Sequence, residues 1–295
     1  MKILVLGSEG FIGSNAVTYF IQHGHQVFAA DIVIKEAANY TAINPEFADF
    51  ARLFYNQKYD VCINATGAAN VQFSFKHAAL DYTLNVSNVF HILEAIRQFN
   101  PSCKFINFSS AAVYGNPKTL PIKENALLNP LSPYGWHKVQ SEQVCNEFYT
   151  FFGIPTLSLR VFSAYGPGLK KQLFWDLYQK SRQTEIVSIY GTGNESRDFI
   201  YIDDLLQCVE LAINQAIFTG NIVNVANGEE ICLKDVAALY FSILNKPFEF
   251  SGEKKLGDPL NWKADITEIE KWGYVQKTNL KEGLLNYIKW LNELN

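Results

Sequence analysis

The sequence predicts an α/β fold built on a doubly wound parallel sheet of Rossmann type, with a smaller substrate-binding lobe toward its C-terminal end. Three observations carry that expectation. An apolar run at 3–6 breaks at once into a glycine-rich turn, the next apolar run closes on an acid, and strand-like and helix-like stretches alternate over the first ~160 residues.

Ile3-Leu4-Val5-Leu6 reads as a buried parallel strand within 2–6. Gly7-Ser8-Glu9-Gly10-Phe11-Ile12-Gly13 follows and opens a helical pattern over 11–22. Such a turn leaves backbone N–H groups at a helix start, where a pyrophosphate is received. Gly7 permits the tight turn, Gly10 lets phosphates approach the backbone, and Gly13 lets the helix lie close on the strand. The second strand, Gln26-Val27-Phe28-Ala29-Ala30, ends in Asp31. A carboxylate roughly 20 residues beyond the glycines is placed to accept both ribose hydroxyls of an adenosine. It also repels a 2′-phosphate, which favours NAD over NADP. The G-x-x-G-x-x-G spacing departs from the commonest dinucleotide form; the order strand, turn, helix, strand, acid makes it specific.

Further strand-like runs lie at 60–64, 103–108 and 156–162, with helical periodicity near 77–98 and 134–152. Ligands of such sheets bind beyond the carboxyl ends of the strands, where Gly7, Asp31, Thr66-Gly67 and Ser109-Ser110 all fall. Past Tyr165-Gly166-Pro167-Gly168 turn signals thicken, at Gly191-Thr192-Gly193-Asn194, Asn227-Gly228 and Gly257-Asp258-Pro259. The expected organisation is an NAD-binding domain over 1–165 and a smaller, discontinuous substrate-binding domain over 166–295.

Composition narrows the function classes. The chain has 295 residues, 48% of them hydrophobic, enough for a sizeable core. A net charge of −4 with mixed signs offers no basic surface for nucleic acid. No apolar run approaches the ~18 residues of a membrane span, and the short apolar start is cut by Gly7 and Glu9, unlike a signal peptide. Cys62, Cys103, Cys145, Cys208 and Cys232 are scattered, as expected of reduced cysteines in a cytoplasmic protein. Metal-ligand spacings are absent, and His23 with His25 reads as loop surface.

Ser109 and Ser110 follow the strand at 103–108, and Ser132-Pro133-Tyr134-Gly135-Trp136-His137-Lys138 opens the helix after them. Tyr134 and Lys138 stand one helical turn apart, hence on one face. A phenol with a pKa near ~10 is a poor base at neutral pH, and lowering it by about 3 units requires roughly 4 kcal/mol in favour of the phenolate. A neighbouring ammonium and an oxidised nicotinamide together supply charge of the right sign. Lys138 is also expected to hold the nicotinamide ribose, and Ser110 to hydrogen-bond the substrate oxygen.

With these motifs the chain resembles the extended short-chain dehydrogenase/reductase family, in particular its NAD-dependent nucleotide-sugar epimerases and dehydratases. The resemblance rests on the glycine turn, Asp31, the segment Ser110-Ala111-Ala112-Val113-Tyr114-Gly115, Tyr134 with Lys138, and Arg197-Asp198-Phe199-Ile200-Tyr201-Ile202-Asp203-Asp204. It implies that Phe11, Ile12, Asp49, Phe50, Ala65, Thr66, Gly67, Asn85 and Phe162 also line the cofactor site, Asp49 on the adenine. It implies that Arg197 contacts a substrate diphosphate, which suits a guanidinium fork, although Arg197 and Asp198 pairing with each other is the alternative. Ser163 stands where relatives often carry a diphosphate-binding asparagine, and Lys255 where they often carry an arginine. Ser109, Ser110, Ser163, Arg197 and Lys255 are thus the expected substrate contacts. By the same resemblance, helices 77–98 and 134–152 form a two-fold interface, and a homodimer is expected.

Dehydratases and decarboxylases resembling this chain carry acids where it has Ala111 and Ala112. Alanine moves no proton, so both reactions are disfavoured. What remains is oxidation of a sugar hydroxyl and its reduction again, most simply 4-epimerisation. A 4-keto-6-deoxy-sugar reductase would use the same residues, and a catalytically idle NAD-binding sensor is a third possibility, opposed by the intact Ser110, Tyr134, Lys138 and Arg197. His137, beside Lys138, reads as a helix-surface variation. Phe174 and Trp175 read as core aromatics, with stacking on the substrate base as the alternative.

Overall fold

The computed structural model describes residues 1–44, 48–55, 57–253 and 256–294. The apolar runs form a seven-stranded parallel sheet: β1 (Lys2–Leu6), β2 (Gln26–Asp31), β3 (Tyr40–Ala42), β4 (Val61–Asn64), β5 (Lys104–Ser110), β6 (Thr156–Val161) and a seventh strand, Asn221–Val225. The spatial order is Asn221–Val225, β6, β5, β4, β1, β2, β3. Strand order therefore reverses between β1 and β4, which opens a crevice at their carboxyl ends. Gly7 leaves β1 into that crevice and Ala65-Thr66-Gly67 leave β4 beside it, the two strands being in register from Ile3 opposite Val61 to Leu6 opposite Asn64.

Period-two alternation assigns β1 to two cores. Ile3 and Val5 join one with Ile63, while Leu4 and Leu6 join the other with Cys62. Every residue of β4 and of β6 is buried, as expected of central strands covered on both faces. The covering helices include α1 (Phe11–Gln22), α2 (Ala51–Tyr55), α3 (Val71–Lys76), α4 (Ala78–Tyr82), α5 (Asn88–Phe99) and α6 (Pro133–Phe152).

The stretch read from sequence as one helix over 77–98 is α4 and α5 joined by a π-helical turn, Thr83–Ser87. Such turns insert a residue without breaking the helix and often mark functional sites. Here Asp81 stands just before the insertion and Asn85 within it, and both are buried.

Beyond residue 166 come α7 (Gln172–Ser181) and α8 (Ile202–Gln215), which returns to pack on α1, where Tyr19 donates to Glu210 at 2.8 Å. The strand Asn221–Val225 that follows α8 completes the main sheet. Phe174 is a core ring, packed against Tyr165, Phe199 and Tyr240 in the cluster that also holds Ile3 and Val5 of β1. Trp175 is half-buried against the same core.

Candidate active site

The glycine turn is set by backbone contact. Gly7 has φ +75°, and a Cβ on it would lie 2.6 Å from the Ala65 carbonyl oxygen. A Cβ on Gly13 would lie 2.0 Å from the Gly7 carbonyl oxygen, so α1 rests directly on the turn. Gly10 is the N-cap of α1, with no side-chain cap and no acid in the first turn, which is the geometry an anion uses at a helix start.

Asp31 closes the turn from β2, accepting from the backbone N–H of Glu9 at 2.9 Å and of Ile32 at 2.7 Å. Around the crevice Phe11, Ile12, Ala65 and Thr66 are half-buried and Gly67 is exposed, with Thr66 Oγ1 donating to Asn64 at 2.6 Å. Ser8 Oγ and Asn85 Oδ1 are buried polar atoms with no hydrogen-bond partner among the described residues. A helix start without a cap, an acid after β2 and orphaned polar atoms beside them fit a dinucleotide.

Two further residues expected beside the cofactor, Phe50 and Phe162, are buried rings. Phe50 is 3% exposed in the cluster with Leu4 and Leu6, and Phe162 packs edge-on against Trp262. Asp49 is exposed and accepts from the Arg52 N–H at the start of α2.

The catalytic candidates meet because α6 begins against the end of β5. Ser132 caps the helix through the Gly135 N–H at 3.2 Å, and Pro133 occupies its first turn. A Cβ at Gly135 would stand 2.7 Å from the Ala112 carbonyl oxygen, so the helix head lies hard on the 3₁₀ turn Ala111–Val113. That contact brings Tyr134 to Ser110, its hydrogen-bond partner. Tyr134 and Lys138 are 7% and 6% exposed, and the ammonium lies 5.8 Å from the ring centroid while donating to the Phe108 carbonyl at 2.8 Å.

Burial pushes the Tyr134 phenol up to about 12; the Ser110 bond opposes this, and Asp81 adds to it. Burial also brings Lys138 down to about 8, against the pull of Asp81 and Glu142. Ser110 thus favours the phenolate by hydrogen bond, with the Lys138 ammonium close to the same ring.

Ser109 is a correction. Adjacent strand residues point to opposite faces, and its hydroxyl donates to Glu142 at 2.5 Å, away from Ser110. Glu142 in turn grips the wholly buried Arg160 through two bonds of 2.8 and 2.7 Å, and Arg160 reaches the Tyr114 hydroxyl at 2.8 Å. This ion pair clamps α6 to β6 behind the catalytic residues. Its one sequence signal is an arginine inside a strand with no other charge.

His137 is the second correction. It is half-buried, and its Nδ1 meets Oδ2 of Asp81 at 2.5 Å.

Arg197 donates through Nη1 to the carbonyls of Ser196 (2.8 Å) and Leu260 (3.1 Å), with its guanidinium over Trp262. Asp198 does not pair with it. That carboxylate accepts from Asn227 and Ala264 N–H groups at 3.0 Å, and burial raises it to about 7 against them. Ser163 is half-buried, and its own N–H donates to the Asp198 carbonyl. Lys255 lies outside the described residues. Among the described residues no cluster of His, Cys, Asp and Glu suits a metal ion, and no helix is long and apolar enough to cross a membrane.

The similarity to known proteins is extensive. The chain is 29% identical to a putative UDP-glucose 4-epimerase of Methanocaldococcus jannaschii, over 99% of each. It is 31% identical to YtcB of Bacillus subtilis, described as an uncharacterized UDP-glucose epimerase, over 100% of this chain and 99% of that one. The crystal structure of UDP-glucuronic acid 4-epimerase from Bacillus cereus, in complex with UDP-glucuronic acid and NAD, superposes with a TM-score of 0.89 over the full length of both, at 27% identity. Residues 3–226, from β1 to just past the seventh strand, match the NAD dependent epimerase/dehydratase family as a whole. The chain belongs to that family and is an NAD-dependent enzyme.

Proposed function

We propose that the protein is a 4-epimerase of a UDP-linked hexose. The observation that carries this reading is the contact of Ser110, Tyr134 and Lys138 beside a turn, Ala111–Val113, that holds no proton donor. Reversible oxidation needs one base that takes a proton and returns it, whereas dehydration needs a further acid.

NAD, when bound, accepts a hydride from C4 of the sugar and gives it back. Tyr134 Oη takes the 4-hydroxyl proton and restores it, with Ser110 hydrogen-bonding both the phenol and the sugar oxygen. Lys138 holds the nicotinamide ribose and adds positive charge beside the phenolate. Gly7, Gly10 and Gly13 cradle the pyrophosphate, and Asp31 takes the adenosine ribose. Arg197 anchors the diphosphate while the keto sugar swings to present its other face.

The names and ligands of the relatives support UDP as the carrier. We further place the enzyme in the cytoplasm as a homodimer. Its five cysteines are unpaired, and Leu80, Tyr82, Phe90, Trp136 and Phe152 are exposed apolar side chains on α4, α5 and α6, where the two-fold interface is expected. Incubation with UDP-glucose, UDP-galactose, their N-acetyl forms and UDP-glucuronic acid, with catalytic NAD, tests the reading by chromatography. Interconversion of a C4 pair without accumulation of NADH is expected. Stoichiometric consumption of reduced cofactor on a 4-keto-6-deoxy sugar would replace the epimerase by a reductase.

A further inference from the structure

The proton transfer derived above leaves one buried pair unused. Asp81, at the end of α4, is 0% exposed. Its Oδ2 meets Nδ1 of His137, while its Oδ1 is buried with no hydrogen-bond partner among the described residues. A buried carboxylate is costly unless paired, so the imidazole is what makes Asp81 tolerable. The placement is pointed. His137 stands on α6 between Tyr134 and Lys138, and the backbone carbonyl of Asp81 accepts from Asn85, at the cofactor crevice, at 3.1 Å. The Asp81 charge reaches both catalytic groups, pushing the phenol of Tyr134 up and supporting the ammonium of Lys138.

The other titratable groups around the pair are few. Tyr82 of α4 stands edge-on to the imidazole at 5.4 Å, and His77 at the head of α4 packs on Phe73. Tyr134, Lys138 and Glu142 lie along α6, and Lys171 at the head of α7 acts on Lys138. Among the described residues only Asp81 hydrogen-bonds the ring of His137.

We propose that His137 is a positioning residue for the reaction: its ring, hydrogen-bonded to Asp81, offsets that buried carboxylate, so that no unpartnered negative charge stands behind Tyr134 when the phenol ionises. The inference rests on Tyr134 being the proton-transfer group. Removing the imidazole leaves the carboxylate uncompensated and hinders the phenolate. Removing the carboxylate takes the negative charge away, and the ring then has nothing to offset. Loss of His137 therefore matters only while Asp81 is present, whereas a pair that merely packed helices together would respond alike to the loss of either member.

The test is a pH titration of phenolate absorbance in the NAD-loaded protein, with the same titration of Tyr134→Phe subtracted. His137→Gln moves the midpoint up by about one pH unit, whereas neither Asp81→Asn nor the double variant moves it up. Circular dichroism confirms that each variant is folded; should Asp81→Asn not fold, the His137→Gln shift decides alone. A His137→Gln midpoint that stays in place, or that rises as much when Asp81 is also replaced, overturns the proposal. No substrate enters this measurement. The Asp81-dependent shift without turnover on any UDP-sugar would sink the epimerase reading alone, and intact turnover without the shift would sink only the role of His137.

Discussion

The two sides of the crevice are built on different terms. On the cofactor side, geometry is written in the backbone: Gly7, Gly13 and the uncapped start of α1 make the site through main-chain contacts as close as 2.0 Å from a would-be Cβ. On the catalytic side, the chemistry is written in buried side chains gathered from α4, β5, α6 and β6, namely Asp81, Ser110, Tyr134, His137, Lys138, Glu142 and Arg160. A backbone site holds a ligand common to many enzymes and tolerates little change. A side-chain site sets charge and proton affinity through individual groups.

That contrast is open to attack, beginning with the largest effect. Tyr134→Phe is expected to lower turnover by about 10²–10⁴-fold, the usual loss for an acid–base group, with NAD affinity unchanged by calorimetry. A parallel loss of NAD binding would show that the two sides are not separable. Next, Arg197→Ala should weaken UDP-sugar binding by about 1.5–3 kcal/mol, the range for charge-assisted hydrogen bonds, and again spare NAD.

A somewhat smaller effect sharpens the backbone half. Gly13→Ala should destabilise the protein by about 1–3 kcal/mol in thermal melts through overpacking, and Gly10→Ala by clearly less. The reason is distance: a Cβ at Gly10 would stand 3.3 Å from the Gly7 carbonyl oxygen, against 2.0 Å at Gly13. Equal melting shifts would mean that the turn gives way rather than resists.

The smallest effect concerns pH. Burial brings Lys138 down to about 8, so its ammonium is lost as pH rises through that value. NAD affinity should therefore fall a few-fold between pH 7 and 9 in the wild type, and Lys138→Arg, which stays charged, should flatten the decline. A decline that persists in Lys138→Arg would assign it to another group.

The same contrast explains what could be read from the chain itself. Gly7, Gly13 and Asp31 are legible because a tight turn and a strand end leave local spacings, and Tyr134 with Lys138 because one helical turn puts them on one face. Asp81 with His137, Ser109 with Glu142, and Glu142 with Arg160 join residues from different elements, so no local pattern announces them. The π-helical turn at Thr83–Ser87 is hidden for a related reason: apolar residues continue through it, and one inserted residue changes which side chains face α6 without breaking the periodicity. For Phe50 and Phe162 a position carried over by resemblance says nothing of how deeply the ring is buried, and both are buried.

The central claim is that a hydride leaves C4 of a UDP-hexose and returns to the same carbon while Tyr134 carries the proton. A substrate labelled with deuterium at C4 tests this most directly, by mass spectrometry and NMR of the product after incubation with the enzyme and catalytic NAD. The account predicts an inverted C4 that retains its deuterium, with no deuterium accumulating on reduced cofactor. Loss of the label to solvent, or its stoichiometric recovery on the cofactor with the sugar left oxidised, would contradict it.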